Sequence, residues 1–120
     1  MLKTFKVILN NKIKPFNKVI NVDADKSISI RSLIVGSISH NISYVSNILE
    51  SEDVISTINC LKKLGVKIYK KKNLYYIYGK GLGSLTAKKN TKLNFGNSGT
   101  LARLLIGLLS TNPNISLYLS

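Results

Sequence analysis

The sequence predicts an α/β (α+β) fold in which a buried helix followed by a strand occurs twice. Residues 27–38 and about 99–110 are apolar on nearly every side after their first turn, which is typical of helices buried all round. Short apolar runs at residues 42–46 and 115–119 follow these helices and are typical of strands. The two copies match at offsets of 72 and 73 positions, which indicates an internal repeat of one folding unit.

The first part of the chain predicts two strands and a second, amphipathic helix. Residues 4–9 and 17–22 are short apolar runs separated by a polar turn that contains Pro15, so we expect a strand on each side. Ser51 precedes two acids and an apolar stripe at helical spacing, which is typical of an N-cap and a first turn suited to the helix dipole. We expect this helix to stop at Gly65.

A hairpin and a glycine-containing loop connect this helix to the second copy. Residues 66–70 and 74–78 flank a lysine-rich turn, which predicts two paired strands. We expect the loop that follows to be a flexible connection, because no helix pattern comes directly after its glycines, Gly79, Gly81 and Gly83. A further strand begins near Leu93 and opens the second copy.

The chain is strongly basic, with a formal net charge of +13 and sixteen lysines. Lysine, isoleucine and asparagine are over-represented together and the lysines are scattered, so we attribute the charge to a bias of composition. We expect no nucleic-acid partner, because aromatic residues do not interleave with the lysines and no RNA- or DNA-binding motif is present. A basic nucleic-acid-binding module is the alternative from another class, and it rests on charge alone.

Cysteine and histidine offer little chemistry. Cys60 is the single cysteine and lies on an apolar helix face, where a core residue is expected, and His40 is the single histidine. No cluster has metal-ligand spacing, so no metal is expected.

The lack of a disulfide framework fits a reducing cytoplasm, and no apolar run approaches the length of a membrane span. We therefore expect a soluble cytoplasmic protein without a membrane partner.

The two arginines are the strongest functional signal, because every other basic residue is lysine. Arg31 and Arg103 each follow a turn rich in serine, threonine or glycine at the start of a buried helix. A guanidinium can hold a carboxylate or phosphate with two parallel bonds. Cations near a helix N-terminus oppose its dipole, and a bound anion would offset that cost. The alternative is structural: Ser27 and Thr100 would be helix caps, and the cations would pair with nearby aspartates or water.

Three blocks of sequence, in order and at matching intervals, carry a family resemblance. They are Asp25–Arg31 (Asp-Lys-Ser-Ile-Ser-Ile-Arg), Leu49–Val54 (Leu-Glu-Ser-Glu-Asp-Val) with Leu61–Val66 (Leu-Lys-Lys-Leu-Gly-Val), and Gly96–Leu105 (Gly-Asn-Ser-Gly-Thr-Leu-Ala-Arg-Leu-Leu). Over about residues 17–120 the chain resembles the start of the 5-enolpyruvylshikimate-3-phosphate synthase family. This resemblance implies transfer of the enolpyruvyl group of phosphoenolpyruvate to the 5-hydroxyl of shikimate 3-phosphate, without metal or organic cofactor.

The resemblance also implies a set of substrate-binding residues: Lys26, Ser27, Arg31, Asn97, Gly99, Thr100 and Arg103. The first three would hold shikimate 3-phosphate, with Arg31 clamping its carboxylate and Lys26 contacting both substrates. The last four would line the phosphoenolpyruvate side, where Gly99 would offer its backbone amide. The family's usual histidine before the arginine is Ile30 here, and Asp23-Ala24 replaces a usual Pro-Gly. Catalytic residues are not assigned.

The implied fold is the enolpyruvyl transferase fold, an inside-out α/β barrel of repeated β-α-β-α-β-β units. Residues 22–90 would be one complete unit, residues 91–120 the truncated start of a second, and residues 1–21 entry strands that belong to the other domain. The full-length enzyme would be a monomer. Because the family is several times longer, we expect these 120 residues alone to be an inactive N-terminal part. A relative acting on UDP-N-acetylglucosamine is the alternative within this fold.

Overall fold

Three helices and five strands make up the regular structure in the described part of the chain. The computed structural model describes residues 17–112, residue 115 and residues 118–119, together with positions 4, 6–8, 10, 12, 14 and 15. The elements are α1 (Lys26–Ile38), β1 (Ile42–Ser46), α2 (Glu52–Lys63), β2 (Lys67–Lys71), β3 (Leu74–Tyr78), β4 (Lys92–Leu93), α3 (Gly99–Leu109) and β5 (Tyr118–Leu119). None of the described helices is long and apolar enough to cross a membrane.

The middle of the chain folds as the sequence predicts. Strand β1 covers residues 42–46, and the Ser51 hydroxyl accepts a hydrogen bond from the Val54 N–H at 3.4 Å, which caps α2. Acidic residues occupy the first turn of α2 and lysines its last turn, so both ends complement the dipole. Gly65 follows this helix with φ 87°, a conformation that glycine adopts without strain.

The main sheet has the strand order β1-β3-β2, with both pairings antiparallel. Alternate residues of β3 point to opposite sides, and Tyr75 and Ile77 face inward into the core, where β3 packs against α1. The buried core that results is contiguous across the three helices and both sheets. Its largest fully buried apolar side chains are Ile30, Leu33, Leu61, Leu64, Ile77, Leu93, Leu101 and Leu105.

The expectation that the first repeat helix is buried all round is wrong in this chain. Ile28 and Val35 of α1 are 69% and 62% exposed, because α1 packs on α2, β3 and α3 with its other side only. The buried faces of α1 and α3 nevertheless correspond at the repeat offset of 72. Ser29, Leu33 and Ser37 are buried in α1, and the equivalent positions of α3 are Leu101, Leu105 and Leu109.

The strand expected at residues 17–22 does not form. These residues pair with no described strand, and Val19, Ile20 and Val22 are 95%, 75% and 71% exposed. A strand needs a partner for its backbone groups, and the described sheets provide none to this segment. The strand expected at residues 4–9 includes positions outside the described residues. Of the strand expected at residues 115–119, Tyr118–Leu119 pairs in parallel with β4, and residues 116 and 117 lie outside the description.

The loop after β3 is anchored by hydrogen bonds. This corrects the expectation of a flexible connection at its glycines. The backbone N–H groups of Gly79, Lys80 and Gly81 donate to the carbonyl oxygens of Asn41 (3.2 Å), Ser37 (2.9 Å) and Ser39 (2.8 Å). Three successive hydrogen bonds therefore fasten this loop to the end of α1 and the turn that follows it. Gly79 allows this close approach of two backbones, because a Cβ there would lie 2.7 Å from the Ser39 carbonyl carbon.

A buried phenol links the sheet to the segment before α2. The Tyr75 hydroxyl donates to Glu50 Oε1 at 2.5 Å, and the Lys70 ammonium contacts the same carboxylate oxygen. Burial, followed by the bond to Glu50, raises the pKa of Tyr75 to about 12. The lysine and then the phenol lower the pKa of Glu50. Protonated Tyr75 and ionised Glu50 are thus the forms that the folded state favours.

We expect Tyr75 to make the free energy of unfolding fall between about pH 10 and pH 12. The pKa of Tyr75 rises from 10.0 to about 12 on folding, so the folded state retains a proton that the unfolded state loses. By linkage this contribution, about 2–3 kcal/mol, is complete below pH 10 and is lost as pH rises through 12. Urea unfolding at several alkaline pH values should show a shallower fall for Tyr75→Phe. Tyr44→Phe, at a phenol that is 61% exposed, should keep the slope of the unaltered chain; parallel curves for all three proteins would contradict the assignment.

Candidate functional site

The N-terminus of α1 is capped by Asp25, whose Oδ1 accepts a hydrogen bond from the Ile28 N–H at 2.7 Å. Ser27 is therefore not the cap, and it lies half-buried in the first turn of the helix. The Ser29 hydroxyl donates to the Asp25 carbonyl oxygen at 2.6 Å and accepts from the Leu49 N–H at 3.0 Å. This shared hydroxyl joins the start of α1 to the segment after β1.

Lys26 is the first residue of α1 and reaches the second residue of α2. Its Nζ lies 2.9 Å from Asp53 Oδ2, with the lysine side chain 49% exposed and the aspartate 17% exposed. The hydrogen bond to Asp53 is the main reason that the pKa of Lys26 is raised. Asp53 was predicted only as a first-turn acid of α2, and its pairing with Lys26 was missed. The signal in the sequence that could have indicated this pairing is the scarcity of acidic residues, of which the whole chain has five.

Arg31 lies in the second turn of α1 and folds back toward the helix start. Its Nη1 donates to the Ser27 carbonyl oxygen at 3.1 Å, and the side chain is exposed. A guanidinium carries five N–H donors, so one bond to the backbone orients the group without saturating it. The geometry leaves a planar cation at the N-terminal end of the helix.

The start of α3 repeats this arrangement with different residues. The buried Ser98 caps the helix by accepting the Leu101 N–H at 3.1 Å, so Thr100 lies half-buried in the first turn and is not the cap. A Cβ built on Gly99 would lie 3.3 Å from Arg103 Nη1, which places the guanidinium directly against the glycine. Asn97 precedes the cap and is exposed.

Helix α2 brings the two helix starts together. Lys26 binds Asp53 in the first turn of α2, and a Cβ on Gly96 would lie 3.2 Å from the Ser56 hydroxyl one turn later. Farther along, the Cys60 thiol donates to the Asn94 carbonyl oxygen at 3.2 Å. The same face of α2 thus supports both the Lys26 side chain and the segment that leads into α3.

The other candidate residues do not join the site. Cys60 is 1% exposed, and burial raises the pKa of its thiol, so it is a core residue as the sequence predicts. His40 follows the C-terminal end of α1, at the opposite end of that helix from Lys26, and lies beside Gly81. No group of three or more histidine, cysteine or acidic side chains suited to a metal occurs among the residues that the structure describes.

The three cationic residues are exposed, and the cavity beside the start of α1 does not include them. A cavity of about 210 Å³ lies beside the first turns of α1, and it is lined by Asp25, Ile28 and Ser32 of this helix and by residues 45–48. Lys26, Arg31 and Arg103 are not among its lining residues. Lys26, Arg31 and Arg103 are exposed, and Ser27 and Thr100 are half-buried in the first turns of the two capped helices. Cations, hydroxyls and unpaired N–H groups at a helix N-terminus are the groups that bind anions.

Comparisons with known proteins identify the family of this chain. Residues 10–120 match the family model described as EPSP synthase (3-phosphoshikimate 1-carboxyvinyltransferase). A 3-phosphoshikimate 1-carboxyvinyltransferase of Bacillus cytotoxicus is 47% identical over 100 residues, which cover 83% of this chain and 23% of that protein. One from Thermoanaerobacter sp. (strain X514) is 49% identical over 100 residues, covering 82% and 23%.

A solved structure gives the same result for the fold. EPSP synthase from Acinetobacter baumannii superposes with a TM-score of 0.74 at 36% identity, covering 84% of this chain and 23% of that chain. The chain spans about a quarter of the length of the curated relatives that it matches. The enolpyruvyl transferase fold expected from the sequence is confirmed, and the chain belongs to the EPSP synthase family.

Proposed function

We propose that this chain supplies one wall of the active site of an EPSP synthase, which transfers the enolpyruvyl group of phosphoenolpyruvate to shikimate 3-phosphate. The observation that carries the proposal is the support of two cation-bearing helix N-termini by one face of α2. Both substrates carry phosphate and carboxylate groups, which are the ligands that helix N–H groups, hydroxyls and guanidinium groups bind.

The two helix starts divide the substrates between them in this proposal. Lys26, Ser27 and Arg31 bind shikimate 3-phosphate, and Arg31 is oriented for this by its bond to the Ser27 carbonyl. The residues on the phosphoenolpyruvate side are Asn97, Gly99, Thr100 and Arg103. The absence of a side chain at Gly99 lets a ligand approach the first N–H groups of α3. Lys26 contacts both substrates and is held between them by Asp53.

The organisation of the chain follows from the same proposal. Residues 22–90 form the first repeat unit, residues 91–120 begin the second, and residues 1–21 belong with the other domain of the enzyme. The exposed apolar residues of segment 17–22 support this assignment, because they have no partner among the described strands. The enzyme acts as a cytoplasmic monomer and uses no cofactor in this proposal.

The binding half of the proposal is tested by titrating shikimate 3-phosphate into the 120-residue chain. We expect selective binding over shikimate, with shifts of the backbone amide resonances at the start of α1. Arg31→Ala should weaken binding at least about tenfold, because charge-assisted hydrogen bonds contribute about 1.5–3 kcal/mol each. Lys62→Ala removes the same charge from the far end of α2 and should leave affinity unchanged. Equal binding by the unaltered chain and both variants would overturn the assignment.

The same chain given both substrates should release no phosphate above background, since it spans about a quarter of the length of its relatives.

A further inference from the structure

The outer face of the main sheet carries a continuous group of tyrosines that the proposed function does not use. Strand pairing places Tyr76 of β3 between Tyr44 of β1 and Tyr69 of β2, and it places Tyr78 opposite Lys67. We call this surface the tyrosine face. Its nine positions are Ile42, Tyr44, Ser46, Lys67, Tyr69, Lys71, Leu74, Tyr76 and Tyr78.

The rings of the tyrosine face form one aromatic platform. Tyr69 and Tyr76 are stacked, with ring centroids 5.2 Å apart and planes 14° apart, and Tyr44 meets Tyr76 edge-on at 5.2 Å. The hydroxyls of Tyr69 and Tyr78 lie 2.6 Å apart, which holds the fourth ring beside the stack. Tyr44 and Tyr69 remain 61% and 40% exposed. Tyr76 is covered by its two neighbours, so the exposed rings of Tyr44 and Tyr69 are the ones that offer surface for stacking.

The charge of the tyrosine face is positive only. The Lys67 ammonium lies 5.0 Å from the Tyr78 ring centroid and 5.7 Å from that of Tyr69, and Lys71 continues the same strand. None of the nine positions is acidic, and Glu50, the acid that contacts the neighbouring Lys70, also bonds Tyr75 on the inner side of the sheet. A partner that fits this surface carries negative charge and flat rings.

We propose that the tyrosine face binds single-stranded nucleic acid. Unpaired bases stack on aromatic side chains presented by a sheet, and the phosphates interact with nearby lysines. Base pairs of a duplex are already stacked on each other and cannot use the rings in this way. The sequence-based expectation of no nucleic-acid partner relied on a lack of aromatic residues among the lysines. The cross-strand register supplies that interleaving in space, although it is not evident along the chain.

The test is fluorescence anisotropy of the 120-residue chain with a labelled single-stranded oligouridylate and with a duplex RNA of equal length. We expect the single strand to bind more tightly. Tyr44→Ser and Tyr69→Leu should each lower affinity roughly 5- to 150-fold, the equivalent of one stacked base. Tyr44→Phe keeps the ring and should keep the affinity. Lys67→Gln should lower affinity and reduce the salt dependence.

The control for general charge is Lys88→Gln, in the exposed loop after β3 and outside the tyrosine face. It should change affinity less than Lys67→Gln does. The proposal is overturned if the duplex binds as tightly as the single strand, if the tyrosine variants that retain native circular dichroism bind like the unaltered chain, or if no oligonucleotide binds at low salt. Shikimate 3-phosphate binding is independent of these variants, so either proposal can fail without the other.

Discussion

Replacing Lys26 with methionine should reduce kcat/KM for enolpyruvyl transfer by about 150- to 25,000-fold, because one ammonium would serve both anionic substrates in the proposed site. Each charge-assisted bond is worth about 1.5–3 kcal/mol, and two are lost together. The measurement needs an active enzyme, which a chimera provides. Residues 1–120 would replace the matching quarter of the Bacillus cytotoxicus relative, which is 47% identical over 100 residues.

The fold should survive this change. Lys26 is 49% exposed, and a partly exposed ion pair such as Lys26–Asp53 contributes little to stability. Lys62→Met is the matched control, since it makes the same substitution on the exposed last turn of α2. The control chimera should retain its turnover. Lys26→Met activity close to that of the parent chimera would exclude Lys26 from the active site.

Gly79→Ala should destabilise the fold by about 3 kcal/mol or more, although the new side chain is only a methyl group. A Cβ at this position would lie 2.7 Å from the Ser39 carbonyl carbon and still closer to the carbonyl oxygen. The obstacle is backbone, which cannot rotate away as a flexible side chain can. Relief would require separating β3 from the turn after α1 and would break the hydrogen bond from the Gly79 N–H to Asn41.

The matched control is Gly107→Ala, the same chemical change in the exposed part of α3. Among the residues that the structure describes, no atom outside the helix lies within 4 Å of a Cβ there, so we expect the methyl group to fit without a clash. We expect this variant to be more stable by about 0.5–1 kcal/mol, because alanine favours a helix interior over glycine. Urea unfolding of both variants measures the two opposite effects. Equal midpoints for Gly79→Ala and the unaltered chain would contradict the close packing at this loop.

Local chemistry explains which elements were predictable. Helix α2 has a cap, complementary charges at both ends and a terminal glycine, so its bounds depend on nearby residues only. The hairpin of β2 and β3 is likewise local. Segment 17–22 has the same apolar character as a strand, but its state depends on a pairing partner distant in the sequence, and the prediction there is wrong. The burial of α1 also depends on distant residues, which is why Ile28 and Val35 are exposed against expectation.

The candidate site also has features that the sequence predicts and features that it does not. The two arginine-bearing helix starts were predicted from residue types and spacing, but the caps are Asp25 and Ser98 rather than Ser27 and Thr100. Cap identity depends on where the first turn begins, and a one- or two-residue difference in that start exchanges a cap for a residue of the first turn. The roles assigned to individual substrate-binding residues stay predictions.

By itself the sequence determined the family and the fold class, and it predicted the chemistry of an anion site, because these depend on residue types at fixed short spacings. Only the tertiary structure decided that α2 supports both helix starts, that Asp53 holds Lys26, and that Gly79 has no room for a side chain. The tyrosine face likewise exists only through the register of three strands. The physical reason is the same in each case: these contacts join residues far apart in the chain, and their geometry is set by packing and pairing rather than by local preference.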